Sequence, residues 1–303
     1  MWRLSCQPTN HTMTPNRSTD ETHCLYLKNA PHYLGELATP AHMVDYAIAA
    51  EEAGWDGVLL ADALGSHNQS YIDPWITHAS IASVTDELLL GSWVTPVPRR
   101  QPWQLASNLA VLDALSDGRV IFGAGFGAPW NYEVTGIGYD PGRLGEQYDE
   151  SLEIIEALWQ GEEVSFEGEH FSIDALELPI TPVQEPRIPT FMGCWWPNKK
   201  PIQRAASYDG LMPYGPSFHG GEGVQGEQPT GTVEEETRAI VEYYRDEADG
   251  SGDILIPIDV PKAPDNYLDI CRELDITWTL TTGAITNESH EQNLERIRDG
   301  PPS

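Results

Sequence analysis

The sequence predicts an α/β protein built as a single (β/α)8 barrel of the TIM type, with a small inserted hairpin and loop insertions. Short apolar runs alternate with amphipathic stretches eight times along residues 22–303. Start and stop signals punctuate the alternation, among them Thr39-Pro40, Gly54, Asp73-Pro74 and Ser116-Asp117-Gly118. A doubly wound sheet would stop near about six strands and would need a reversal of strand order, which the pattern does not offer. With 303 residues, 40% of them apolar, the chain has core enough for one barrel. Residues 1–21 are polar and aperiodic and are predicted to be a disordered extension ahead of the barrel domain, 22–303.

A strand is predicted around Cys24 to Lys28, followed by a helix with Thr39 as N-cap, Pro40 in the first turn, Met43, Ala47 and Ala50 facing inward, and Gly54 as terminator. Strand Gly57 to Ala61 ends at Asp62, and Asp73-Pro74 opens a helix to Val84. Strand Leu88 to Thr95 precedes a helix with Leu105, Leu109, Leu112 and Leu115 on one face, and strand Val120 to Gly123 runs into the glycine-rich loop at Gly125 and Gly127. A polar, aromatic loop leads to the helix Arg143 to Trp159, with Leu144, Tyr148, Leu152, Ile155 and Trp159 at helical spacing. Val164 to Ile173 reads as the inserted hairpin around Gly168. Four further pairs complete the count: strand Thr190 to Gly193 with helix Pro201 to Ser207, strand Gly210 to Tyr214 with helix Val233 to Tyr244, strand Ile254 to Ile258 with helix Pro264 to Leu274, and strand Ile276 to Thr281 with helix Glu288 to Arg298.

Charge narrows the partners. Forty-seven acidic residues face 17 basic ones, a net charge of −30, and only Lys28, Lys199, Lys200 and Lys262 are lysines. Such a chain repels nucleic acid and anionic membranes. The acidic residues are dispersed over helix faces such as Glu234 to Glu236, and their abundance with scarce lysine resembles the proteins of halophiles, in which cytosolic salt screens the self-repulsion. No window approaches the apolar length of a spanning helix and the N-terminal residues hold no apolar signal region, so a cytoplasmic protein is expected. Cys6, Cys24, Cys194 and Cys271 are scattered, which points to inert thiols and not to disulfides or zinc. A mobile lid and a surface insertion are equally open readings of the glycine-rich segment Gly215 to Gly231.

In a barrel the active site forms at the C-terminal ends of the strands. That rule selects Asp62, Thr95, the loop Gly125 to Asn131, the segment Gly193 to Lys200, Tyr214, Asp259 and Thr282. Trp93, Trp130, Tyr132, Trp195, Trp196 and Tyr214 stand close to the same ends and can wall an apolar pocket.

Four ordered segments, AIAAEEAGWDGVLLADAL (Ala47 to Leu64), LGSWVTPVPRRQPWQLASNLAVLDALSDGRVIFGAGFG, RLGEQYDESLEIIEALWQGEEVSFEGEHFSI (Arg143 to Ile173) and PRIPTFMG with AASYDG, resemble the bacterial luciferase-like flavin and deazaflavin oxidoreductases. The resemblance covers roughly residues 24–215. It implies a TIM-type barrel, a homodimer, and hydride transfer between a deazaflavin coenzyme (F-420) and a small organic substrate. FMN with oxygen-dependent monooxygenation is the alternative cofactor and reaction. The cofactor-binding residues it implies are Asp62, Thr95, Gly125, Phe126, Gly127, Asn131, Gly193, Cys194, Trp195 and Lys199. Thr95 and the amides after Gly125 would meet the ring, while the helix start after Gly193 with Lys199 and Lys200 would meet a phosphate. A non-prolyl cis peptide is expected near Ser92-Trp93.

Two departures weigh on mechanism. Ala63 follows Asp62 where many members carry a histidine, and Ala128 stands where the sugar-phosphate dehydrogenases carry a glutamate. Sugar-phosphate oxidation is disfavoured, and His67 is the candidate catalytic histidine that could enter from its loop. A catalytically inactive cofactor-binding barrel is the competing reading. A metal-dependent hydrolase finds no HxH or HExxH spacing among nine histidines, and a glycosidase would have only Glu133 and Asp259 as its carboxylate pair.

Overall fold

A computed structural model describes residues 21–65, 71–219, 228–249 and 251–303. In chain order, β1 (Thr22–Tyr26) leads through α1 (Pro31–Leu34) to α2 (Pro40–Ala53), and β2 (Gly57–Leu60) leads to α3 (Pro74–Ala82). Next, β3 (Leu89–Ser92) and its continuation β4 (Thr95–Pro96) lead to α4 (Pro102–Ser116), and β5 (Val120–Gly125) leads to α5 (Trp130–Glu133) and α6 (Pro141–Trp159). A hairpin of β6 (Val164–Glu167) and β7 (Ser172–Leu176) follows. The last four units are β8 (Thr190–Trp195) with α7 (Lys199–Ala205), β9 (Gly210–Tyr214) with α8 (Val233–Glu247), β10 (Asp253–Pro257) with α9 (Tyr267–Glu273), and β11 (Trp278–Thr281) with α10 (His290–Arg298).

All barrel pairings are parallel, and the ring closes in the order β1, β2, β3/β4, β5, β8, β9, β10, β11 and back to β1. The predicted eight-stave barrel and the inserted hairpin are therefore both present. Strand alternation sorts the apolar residues into two cores. Cys24, Tyr26, Leu59, Ile121, Phe191, Met212, Leu255 and Leu280 fill the barrel interior. Their neighbours Leu25, Leu27, Leu60, Phe122, Met192 and Cys194 belong to the larger core between strands and helices.

Helix boundaries follow the caps. The side chains of Thr39, Asp73 and Ser289 accept from the amides of His42 (3.1 Å), Ile76 (3.0 Å) and Gln292 (3.1 Å), and Thr232 with Glu235 forms a capping box. Ser289 sets the start of α10 at His290, two residues past the predicted Glu288. Leu115 is a correction, since it is 52% exposed while Leu105, Leu109 and Leu112 are buried. α4 runs to Ser116, and its inward stripe is completed by Ala106, Ala110 and Asp113 instead. The expected disordered extension falls on residues outside those described, except Glu21, whose carboxylate receives both Arg272 Nε (2.8 Å) and an Arg272 terminal nitrogen (3.1 Å). Among the described residues no helix is long and apolar enough to cross a membrane.

Candidate functional site

The strand predicted to run unbroken to Thr95 is interrupted. Pairing takes Gly91 to Ile121 and then Thr95 to Ala124, so four steps along β3 and β4 match three along β5. One residue is extra, which is a bulge. The non-prolyl cis peptide lies within it at Trp93-Val94, one bond beyond the expected position. The bulge drives the Ser92 carbonyl and the Val94 side chain against β5 and β8. A Cβ on Gly123 would collide with Ser92 O, one on Gly125 would collide with the Val94 side chain, and one on Gly193 would lie 3.0 Å from Val94 Cγ2. Gly127 is required twice, by φ +78° and by Pro96 at 2.7 Å from its would-be Cβ. These glycines therefore exist because two strands press together, and the result is a flat apolar floor at the barrel mouth.

An aromatic wall rises beside this floor. Trp93 stacks on Tyr214 with ring centroids 4.7 Å apart, Trp195 continues the stack at 6.3 Å, and Tyr26 meets Trp93 edge-on at 5.3 Å. Trp93 Nε1 is buried and has no hydrogen-bond acceptor among the described residues. Behind the floor, the Thr95 hydroxyl donates to Ser92 Oγ (2.9 Å), which donates to the Gly123 carbonyl (3.1 Å). Farther back, His78 Nε2 donates to the Gly91 carbonyl at 2.7 Å, since a carbonyl can only accept. Burial holds the His78 pKa down at about 4, the Gly91 bond opposing.

Asp62, 2% exposed, is clamped rather than free. Arg100 binds it in a bidentate fork at 2.7 Å from both Nε and a terminal nitrogen, and Arg99 donates to Oδ1, the oxygen that the Arg100 terminal nitrogen also binds. Burial lowers the Arg99 pKa against the pull of Asp62; at Arg100 burial is outweighed by Asp62 and Asp73, and both remain cations. Arg99 also donates to Asn131 Oδ1 at 3.3 Å, so Asp62, Arg99 and Asn131 form one network joining the ends of β2, β4 and β5. Neither arginine stood among the sequence-selected residues, although the pair falls inside the quoted segment. A tripeptide signal of Pro-Arg-Arg at a strand end opposite a buried Asp would have found it.

Other selected residues sit farther apart. Phe126 is held by its carbonyl, which accepts from the Tyr132 hydroxyl of α5, a short helix where the sequence predicts a loop. Cys194 lies on the outward row, its thiol donating to Met192 O at 3.5 Å, and burial pushes that thiol up, Arg204 opposing. Lys199 is exposed, and its Nζ stands 4.1 Å from the centre of the Tyr243 ring. His67 lies outside the described residues. On the far side of the mouth, Asp259 accepts from the Thr282 amide (2.8 Å), the Thr282 hydroxyl (2.8 Å) and the Gly283 amide.

A cleft of about 60 Å³ opens between Phe126, Tyr148, Met192, Gly193, Pro201 and Arg204, beside the floor. A larger depression of about 540 Å³ lies on the outer face of α10, lined by Gln292, Glu295, Arg296, Arg298 and Asp299, away from the strand ends and their chemistry. No group of three or more His, Cys, Asp or Glu side chains suited to a metal ion occurs among the described residues. Cys24, Cys194 and Cys271 are buried and unbridged, as inert thiols should be.

The profile of the luciferase-like monooxygenase family matches residues 19–224. An F420-dependent glucose-6-phosphate dehydrogenase of Nakamurella multipartita is 31% identical over 166 residues, 52% of this chain and 48% of that protein. The chain thus spans about half the length of the curated relatives it matches. In fold, it is similar to the monooxygenase RslO1 of Streptomyces bottropensis (TM-score 0.74, 18% identity, 91% of this chain and 96% of that one). It is also similar to the coenzyme F420 dependent tetrahydromethanopterin reductase of Methanopyrus kandleri (TM-score 0.70, 14% identity, 93% and 99%).

Proposed function

The chain belongs to the luciferase-like monooxygenase family, and on that premise we propose that it transfers hydride between a deazaflavin coenzyme and a small organic substrate. The observation that carries the reading is the floor of Val94, Gly125 and Gly193 under an aromatic wall, with Trp93 Nε1 unsatisfied beside it. That set fits a planar heteroaromatic ring with acceptors along its edge. When bound, the coenzyme supplies the hydride chemistry. The chain's own residues hold and shield the ring. Val94 and the glycines at 125, 127 and 193 support it, Trp93 and Trp195 flank it, and the Phe126 amide faces its polar edge, while the buried Thr95 and Asn131 set that edge through their bonds to Ser92 and Arg99. Asp62 and Cys194 act from behind, by bracing Arg99 with Asn131 and by packing β8. Lys199 supplies positive charge near the cleft for a phosphate. At about 60 Å³ the cleft is far smaller than the several hundred Å³ of typical ligand sites, so it can hold only part of the coenzyme as it stands. His67 is retained as the candidate proton-handling histidine.

The partner is a second copy of the chain, met through α3 and α4. α3 carries no Asp, Glu, Lys or Arg, and the single such residue of α4, Asp113, is buried. In a chain of net charge −30 these helices expose Ile76 at 72% on α3 and Val111 and Leu115 on α4. Sizing in molar potassium chloride tests it, a monomer being the contrary result. The dispersed acidic surface supports a salt-rich cytoplasm as the working compartment.

The function is tested by titrating the deazaflavin coenzyme and FMN separately into the purified protein in molar potassium chloride and following fluorescence quenching. Saturable binding of the deazaflavin is expected. Binding of FMN alone would transfer the protein to oxygen-dependent monooxygenation, and binding of neither to a demonstrably folded protein would end the oxidoreductase reading in favour of a hydrolase or a non-catalytic barrel.

A further inference from the structure

The mouth of the barrel is polar on one side, and the residue that stands out there is Lys28. Cys24 and Tyr26 face the interior while Leu25 and Leu27 face the helices. The ladder continues one step past β1 through Leu27 N to Leu59 O (2.9 Å), which places Lys28 on the inward row directly above Tyr26. β10 is prolonged in the same way by Ile258 N to Leu280 O (3.1 Å), bringing Asp259 to the neighbouring rim.

Lys28 is half-buried, and among the described residues its ammonium has neither a hydrogen-bond acceptor nor an ion-pair partner, although the chain holds 47 carboxylates. Asp259 influences it electrostatically, but the oxygens of Asp259 are filled by the amide and hydroxyl of Thr282 and the amide of Gly283. Burial lowers the pKa of Lys28, Asp259 opposing and Arg296 assisting. The ammonium is reached by solvent at the mouth, so an incoming oxyanion would exchange water for a charge-assisted hydrogen bond in a half-buried setting. Thr282 is the neighbouring hydroxyl on the rim.

We propose that Lys28 is the substrate-recognition cation of the mouth, and that the substrate carries an anionic oxygen group, a carboxylate or a phosphate, which seats on its ammonium opposite the glycine floor. The assignment deepens the oxidoreductase reading and uses the same mouth. It gives the polar rim a role that Ala63 and Ala128 leave vacant on the other side.

With only four lysines, the chain labelled with 13C and 15N at the lysine ends gives four resolvable ammonium signals. Acetate and inorganic phosphate are titrated separately at constant ionic strength, with Lys28→Met and Lys28→Gln identifying the Lys28 signal. The proposal expects one of the two anions to shift the Lys28 signal saturably, with Lys199, Lys200 and Lys262 still. The preferred anion identifies the group, and both variants should bind it about tenfold or more weakly by calorimetry. No saturable shift, a parallel drift of all four signals, or undiminished binding in both variants would overturn it. Deazaflavin binding is measured on the same samples: its absence from the wild type counts against the oxidoreductase reading alone, because the anion titration is read independently.

Discussion

The two halves of the barrel mouth are built on opposite principles. Along β3, β5 and β8 the strands press so closely that Gly123, Gly125 and Gly193 leave no room for a side chain, and nearly every polar group there is used internally. Along β10, β11 and β1 the rim carries Asp259, Thr282 and Lys28, and the ammonium has no acceptor among the described residues. The difference teaches that the first half is a fixed surface set by packing, whereas the second is a chemical surface whose residues cost the fold little.

Substitutions should separate the halves by size of effect. Asp62→Ala would strand the buried Arg99 guanidinium and leave the half-buried Arg100 only Asp73, and a loss of about 3 kcal/mol in urea unfolding is expected. A cost near zero would mean that the clamp does not hold the ends of β2 and β4 together. Gly123→Ala meets the backbone carbonyl of Ser92 and is expected to cost about 3 kcal/mol, more than the same change at Gly193, where the neighbour is a side chain 3.0 Å away. Equal costs at the two positions would remove the bulge as the cause of the glycines.

His78 gives the rigid half a pH dependence. Its folded pKa of about 4 lies below the unfolded value of about 6.5, so the unfolded chain takes up a proton that the native chain refuses. Stability is therefore fully present above about pH 6.5 and falls as the pH drops toward 4, by about 3 kcal/mol across the window. Unfolding of wild type and His78→Gln at both ends of that window checks it, the variant being expected to lose less. Smallest of all, Lys28→Met should change stability by less than about 0.5 kcal/mol, since it breaks no hydrogen bond or ion pair among the described residues. A large loss would move Lys28 into the structural half.

Most of the fold was legible in the sequence because barrel periodicity and caps are local. Thr39, Asp73 and Gly54 marked α2 and α3 where the structure has them, and all eight staves followed from apolar runs. Leu115 misled because helical spacing alone cannot tell an inward stripe from an exposed apolar face. The glycine-rich stretch was recognised as part of the site, but the reason for it, the extra residue of β3 and β4 pushing Val94 into β5, is a matter of register between strands. Asp62 was selected by position, while its two arginines were missed because their pairing spans a loop and a turn. Lys28 was visible only as one of four scarce lysines until alternation from Tyr26 placed it on the inward row.

The division of the mouth is tested most directly by one experiment, titration of the deazaflavin coenzyme into wild type, Trp93→Phe and Lys28→Met in parallel. Trp93→Phe keeps the aromatic wall but removes the unsatisfied indole N–H, and should weaken binding about fivefold. Lys28→Met should bind the coenzyme within about twofold of wild type. The reverse pattern, with Lys28→Met impaired and Trp93→Phe unchanged, would contradict the assignment of the glycine and aromatic half to the coenzyme.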